Sequence, residues 1–155
     1  MYQKEVGYAA VDAGADLIIG THSHILKGIE VYKGKVITYG LCNFAFDLPI
    51  SQEEFETPAR KHVTELYPIF RYQPDYPPYQ FPVDSRKTIA IKAIISDRQV
   101  QRVSFLPTFI NPDGQPEILQ DKDKRWLEVF NYMEELCKDL GTKLVKDGDE
   151  VLIST

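Results

Sequence analysis

Apolar positions recur at helical spacing through Val6, Ala9, Ala10 and Ala13, and Gly14 follows them. This predicts a helix over 1–14, packed by one face and stopped by glycine. Leu17-Ile18-Ile19 is an unbroken apolar run too short for a helix. It reads as a strand buried on both faces of a parallel sheet. Gly28–Tyr32 and Lys35–Tyr39 read as two more strands, with Lys33-Gly34 as the two-residue turn between them. Period-two alternation appears at Lys87–Ser96 and Gln99–Leu106 on either side of Asp97-Arg98. That predicts an antiparallel hairpin with one buried face. Asn111-Pro112-Asp113-Gly114 is a turn signal. A helix starts at Asp121 or Asp123 and runs to Leu140, with Trp126, Leu127, Val129, Phe130, Met133, Leu136, Cys137 and Leu140 as its apolar stripe. Those residues read as core. Lys143–Val145 and Glu150–Ile153 predict a closing hairpin around Asp147-Gly148. The helix–strand opening and the later hairpins together predict an α/β fold with mixed sheets.

Leu48–Ser85 breaks these patterns. Prolines at 49, 58, 68, 74, 77, 78 and 82 alternate with Phe55, Tyr67, Phe70, Tyr72, Tyr76, Tyr79 and Phe81. A helix fits between about Ser51 and Tyr67, and the rest is extended loop because proline removes backbone donors. Loops of this length inside a domain are lids or linkers. The aromatics favour a lid packed on its own domain over a dedicated binding groove, since disordered linkers are poor in them. His62 is isolated here and reads as solvated.

A chain of 155 residues can bury one core. The formal net charge of −5 and the lack of a basic stripe argue against nucleic acid as a partner. Cys42 and Cys137 show no metal-like spacing and read as reduced thiols. No apolar run is long enough to span a membrane.

The candidate chemistry follows the first strand. Gly20-Thr21-His22-Ser23-His24 places two histidines two residues apart. In an extended segment their side chains point the same way, just past the carboxyl end of the strand, where open α/β sheets bind ligands. Two neutral imidazoles on one face suit zinc, manganese, iron or nickel, yet a catalytic zinc takes three protein ligands. The alternative is a polar loop with two exposed histidines. Asp16 lies at the other end of the strand, and capping or solvated roles suit Asp12 and Asp16. Glu30 and Tyr32 either orient a metal-bound histidine from behind or make plain cross-strand and surface contacts.

The run from Gly14 to Lys35, continued by Tyr39-Gly40-Leu41-Cys42-Asn43-Phe44-Ala45-Phe46-Asp47, resembles bacterial capsule-synthesis proteins of the CapA/PgsA type. These are linked to poly-γ-glutamate and fall in the calcineurin-like metallophosphoesterase superfamily. The likeness is close over about the first 47 residues and weaker from Arg86 to about Gly141. It departs from the family pattern at Ser23 (usually Pro), Lys27 (Gln), Gly40 (Ser) and Cys42 (Gly). A glycine in such a loop often serves positive φ or close approach, so Cys42 is the departure that matters most.

The resemblance implies that the chain is the C-terminal portion of a metallophosphoesterase-like α/β sandwich with mixed sheets. It is then one partial domain over 1–155, with an insertion at about 48–85. The resemblance makes His22 and His24 ligands of a two-metal centre of manganese, zinc or iron. It places Asn43 near substrate, and Asp47 reads as a loop cap. The superfamily draws its Asp-x-His, Gly-Asp and Asn-His motifs from segments before this signature, and none occurs ahead of His22, so the remaining ligands are expected from an earlier segment. The expected substrate is a phosphoester or an anionic capsule polymer. The expected location is the cell envelope, reached through an N-terminal anchor outside this stretch. The alternatives are a non-catalytic polymer-binding or export component, or an inactive fragment that associates with itself through exposed sheet edges.

Overall fold

A computed structural model describes residues 2–154. It is a mixed α/β structure with two sheets. Helix α1 (Tyr2–Asp12) leads into β1 (Leu17–Ile19), and β2 (Ile29–Tyr32) and β3 (Lys35–Thr38) follow. The first sheet has the order β1-β3-β2, with β1 parallel to β3 and β2 antiparallel to it. Lys33 and Gly34 both take positive φ, 51° and 73°, the geometry a tight hairpin turn demands.

Two expectations for the opening segment need correction. The helix forms, but its buried positions are Gly7 and Val11, while Val6 is 60 % exposed. Gly7 sits where a Cβ would meet the Ile37 side chain at 3.2 Å, so α1 approaches the sheet through its small residue. Strand β1 is not buried on both faces. It pairs with β3 alone, and Ile19 is 45 % exposed. A continuous apolar run does not distinguish a central strand from an edge strand of this sheet.

The second sheet is built from β4 (Lys87–Ser96), β5 (Gln99–Ile110), β6 (Pro116–Ile118), β7 (Lys143–Asp147) and β8 (Glu150–Ser154). Its order is β4-β5-β8-β7, with β6 also on β5. The predicted hairpin holds, and Asp97 and Arg98 turn it at positive φ without a glycine. β5 runs further than its alternation indicates. Asn111 makes the turn, its Oδ1 accepting from the backbone N of Asp113 and Gln115, and sends β6 back along β5. The closing hairpin turns on Gly148-Asp149, one residue later than expected.

Helix α4 (Lys124–Lys138) starts where Asp123 accepts from the Arg125 backbone N at 2.8 Å. Trp126, Val129, Phe130, Met133 and Cys137 are buried as the stripe predicts, but Leu127 is exposed. They share one core with Ile29 and Val36 of the first sheet and Ile89, Val103, Phe105 and Val151 of the second. The helix therefore cements the two sheets. Gly28 permits this, because a Cβ there would lie 2.5 Å from the Leu136 carbonyl oxygen.

The stretch expected as one helix over 51–67 is two, α2 (Gln52–Phe55) and α3 (Pro58–Leu66). Pro58 takes the first helical position of α3, where its missing N–H costs nothing. Neither helix buries a residue. Part of 72–85 packs inward: Tyr76 and Tyr79 join Ile110 in a separate small core, and the Leu48 N–H bonds the Pro78 carbonyl at 2.8 Å. Among the described residues, no helix is long and apolar enough to cross a membrane.

Candidate functional site

Gly20 fixes where the histidine loop begins. Its N–H donates to the Thr38 carbonyl at 2.8 Å, and a Cβ at residue 20 would sit 2.4 Å from that same oxygen. The loop is then strapped to the one after β3, with the Lys27 N–H on the Gly40 carbonyl at 3.0 Å and Leu26 bridged to Leu41. Between these anchors the chain does not run extended. Thr21–Ile25 is mostly bends, and both His22 (φ 80°) and His24 (φ 51°) are left-handed. The two rings still converge, with centroids 6.2 Å apart and planes tilted 52°. They converge through two positive-φ residues, not through strand alternation. Non-glycine residues at positive φ are uncommon and concentrate where a site over-determines the backbone.

His24 is the better enclosed of the two. Its ring lies 5.3 Å from Phe46 edge-on and 5.0 Å from Phe81. Its Nδ1 is 2.6 Å from Asn43 Oδ1. Asn43 is 6 % exposed, and its Nδ2 donates to Tyr79 Oη at 2.7 Å. Tyr79, fully buried, donates in turn to the Ser85 carbonyl at 2.7 Å. Burial raises the Tyr79 hydroxyl above its ordinary range, so it stays a protonated donor. The amide of Asn43, expected beside substrate, is thus bonded inside the protein on both its oxygen and its nitrogen. Nothing in the sequence between 48 and 85 marks Tyr79 as the residue that reaches Asn43.

Cys42 follows the same loop at φ 66°, the positive φ that a glycine would take without strain. Its Sγ donates to the same Ser85 carbonyl at 3.2 Å. Burial pushes this thiol up to about 11, so it is not a nucleophile near neutral pH. Cys137 is also free, buried beneath the Ile29 N–H.

His24 and Ser23 open onto a cavity of about 490 Å³ whose other walls include Ile69, Phe70, Arg71, Phe81 and Asp84. A second cleft of about 370 Å³ lies at the far end of β1, beside Asp16, Lys35 and Arg102. Asp16 pairs there with Lys35 at 2.5 Å, a solvated role. Glu30 faces neither histidine. It accepts from Tyr8 at 2.6 Å and Tyr39 at 2.5 Å, tying α1 to the sheet. Burial alone would raise its carboxyl. The two hydroxyls and Lys4 outweigh that and hold it below the ordinary carboxylate value. Asp47 and His62 are exposed.

Zinc–imidazole bonds of about 2.0–2.1 Å let two rings share one ion at centroid separations of roughly 5–6 Å. The observed 6.2 Å lies just beyond that reach, so the rings would draw slightly together to serve as part of a donor set. They do not make a whole one. Among the described residues, no group of three or more His, Cys, Asp and Glu is placed to hold a metal ion.

Residues 1–48 match the family described as bacterial capsule synthesis protein PGA_cap. A PGA biosynthesis protein CapA of Bacillus subtilis is 56% identical over 45 residues, 29% of this chain and 12% of that protein. A capsule biosynthesis protein CapA of Bacillus anthracis is 51% identical over 45 residues, 29% of this chain and 11% of the relative. An uncharacterized protein of Sinorhizobium fredii is 33% identical over 66 residues, 43% of this chain and 13% of its own length. The chain therefore spans only a small part of the curated relatives it matches. The CapA-like resemblance of the histidine-bearing run is borne out by these matches.

Proposed function

We propose that this chain is the part of a CapA-like capsule biosynthesis protein that brings two imidazole donors, His22 and His24, to a divalent-metal centre. One observation carries the reading: two left-handed histidines at a strand end, ring centroids 6.2 Å apart, inside the stretch of family likeness. A manganese, zinc or iron ion bound with a full donor set would supply Lewis-acid activation of water toward a phosphoester or amide. The residues of this chain contribute binding and orientation. His22 and His24 offer lone pairs. Asn43 holds His24 from inside the protein, and the 490 Å³ cavity beside His24 gives substrate a place to lie. The missing donors then come from outside the described residues. The substrate class is an anionic capsule polymer or a phosphoester, handled at the cell envelope.

The short donor set specifically favours a second reading, a polymer-binding or export component that keeps the fold without the chemistry. Zinc and manganese titration of this chain beside a His22→Ala/His24→Ala double variant tests the first. Binding that disappears in the double variant supports it, and tight binding that persists undiminished in the double variant overturns it.

A further inference from the structure

The contacts behind His24 form a line of hydrogen bonds that makes its full number of bonds in one direction only. It ends on the Ser85 carbonyl, which has no hydrogen to give and receives both Tyr79 Oη at 2.7 Å and Cys42 Sγ at 3.2 Å. Tyr79 has a single hydroxyl hydrogen and spends it there. Toward Asn43, 2.7 Å away, the phenol oxygen can only accept, so it takes an Nδ2 hydrogen. The amide oxygen of Asn43 is thereby turned to His24. A contact of 2.6 Å between Oδ1 and Nδ1 requires a hydrogen between them, and it must sit on Nδ1. Flipping the Asn43 amide would require the phenol hydrogen to leave the Ser85 carbonyl for the amide oxygen, so the Tyr79–Ser85 bond would be lost while Cys42 alone stayed on that carbonyl. One lost hydrogen bond, about 0.5–1.5 kcal/mol, makes that arrangement rarer by up to about tenfold.

We infer that Tyr79 is a positioning residue that, through Asn43, fixes the proton of neutral His24 on Nδ1 and leaves the lone pair on Nε2. The inference deepens the reading of His24 as a donor and rests on it only for its purpose. In water, neutral histidine carries its proton mainly on Nε2, so the buried tyrosine reverses the ordinary preference. Phe46 and Phe81 pack against the ring and hinder its rotation out of this arrangement. Tyr79 lies outside the family match, which ends at residue 48. A residue of the Pro- and aromatic-rich stretch thus sets the chemistry of a histidine in the matched stretch.

The test is imidazole ¹⁵N–¹H multiple-bond NMR on the chain labelled at its three histidines, at a pH where all are neutral. His22→Gln and His62→Gln variants assign the signals. The wild-type His24 is expected to show a protonated Nδ1 and an unprotonated Nε2. Tyr79→Phe and Asn43→Ala are each expected to move His24 about tenfold toward the Nε2–H form, with the His22 signals unchanged. A wild-type His24 already in the Nε2–H form overturns the inference even if neither variant folds. An unchanged His24 tautomer in a folded Tyr79→Phe protein overturns it too. Zinc titration of the same sample beside the His22→Ala/His24→Ala variant separates the two claims: a locked Nδ1–H tautomer with zinc bound equally tightly by both proteins upholds this inference and counts against the metal reading.

Discussion

Replacing Gly40 by alanine should destabilise the protein through Ser23. A Cβ on residue 40 would fall 2.5 Å from Ser23 Oγ, 3.1 Å from the Ile25 carbonyl oxygen and 3.2 Å from Lys27 Cγ. The hydroxyl can swing away, but it then abandons its 3.0 Å bond to the Ile25 carbonyl, a loss of about 0.5–1.5 kcal/mol. The contact with the Ile25 oxygen stays tight after that rotation, and such overpacking costs about 1–3 kcal/mol. Loss of backbone freedom in the unfolded chain returns about 0.4–1 kcal/mol. Gly40→Ala should therefore cost about 2 kcal/mol net. Ser23→Ala alone should cost about 1 kcal/mol, for the hydroxyl bond only. In the double variant the oxygen is gone before the Cβ arrives. The two costs should then fall short of additivity by about 1 kcal/mol, while the unfolded-state term cancels around the cycle. Urea denaturation followed by fluorescence of Trp126, the single tryptophan and 2 % exposed, measures all four proteins. Additivity within about 0.3 kcal/mol would refute the claim that the Ser23 hydroxyl occupies the space of the absent Cβ.

Gly20→Ala meets backbone and not a movable side chain, the Thr38 oxygen at 2.4 Å, so a loss above about 2 kcal/mol is expected in the same assay. At Cys42 the left-handed backbone should make Cys42→Gly more stable than Cys42→Ala by about 1 kcal/mol, although glycine is the smaller residue; the reverse order would show that φ 66° is not strained there. Glu30, whose carboxyl is held low, contributes stability that is full above the unfolded carboxylate value and lost as pH falls through its folded value. Acid titration of stability should accordingly be flatter in Glu30→Gln than in the wild type, and parallel curves would exclude Glu30 as a source of acid sensitivity.

What the sequence disclosed, and what it withheld, follows from the range of the forces involved. The Lys33-Gly34 turn, the Lys87–Ser96 strand with its Asp97-Arg98 turn, and the buried stripe of α4 depend on local spacing and local φ. All were legible. The burial of β1 depends on what lies beside it in space, and a three-residue apolar run carries no record of that. The histidine pair was visible as residue types, but the route to its convergence was not. Two left-handed histidines have no compositional signature, and the close approach of Gly20 to Thr38 that turns the chain there is a distant contact. Tyr79 was one aromatic among many until folding set it behind Asn43.

The departures from the family pattern show the same limit most sharply. Ser23, Lys27 and Gly40 read in sequence as three separate substitutions, spread over 18 positions by their own numbers. In space they are one: Ser23 Oγ and Lys27 Cγ crowd the point where residue 40 would carry a Cβ. Serine at 23 favours glycine at 40 by the same coupling of about 1 kcal/mol. The change at the histidine loop and the change in the loop after β3 are therefore energetically coupled. Cys42 stands apart: its positive φ is offset by side-chain contacts, the Sγ bond to the Ser85 carbonyl and packing against the main core. That carbonyl also terminates the line from His24. The strained cysteine and the oriented histidine are thus held by one acceptor, and a substitution that displaces Ser85 should disturb both.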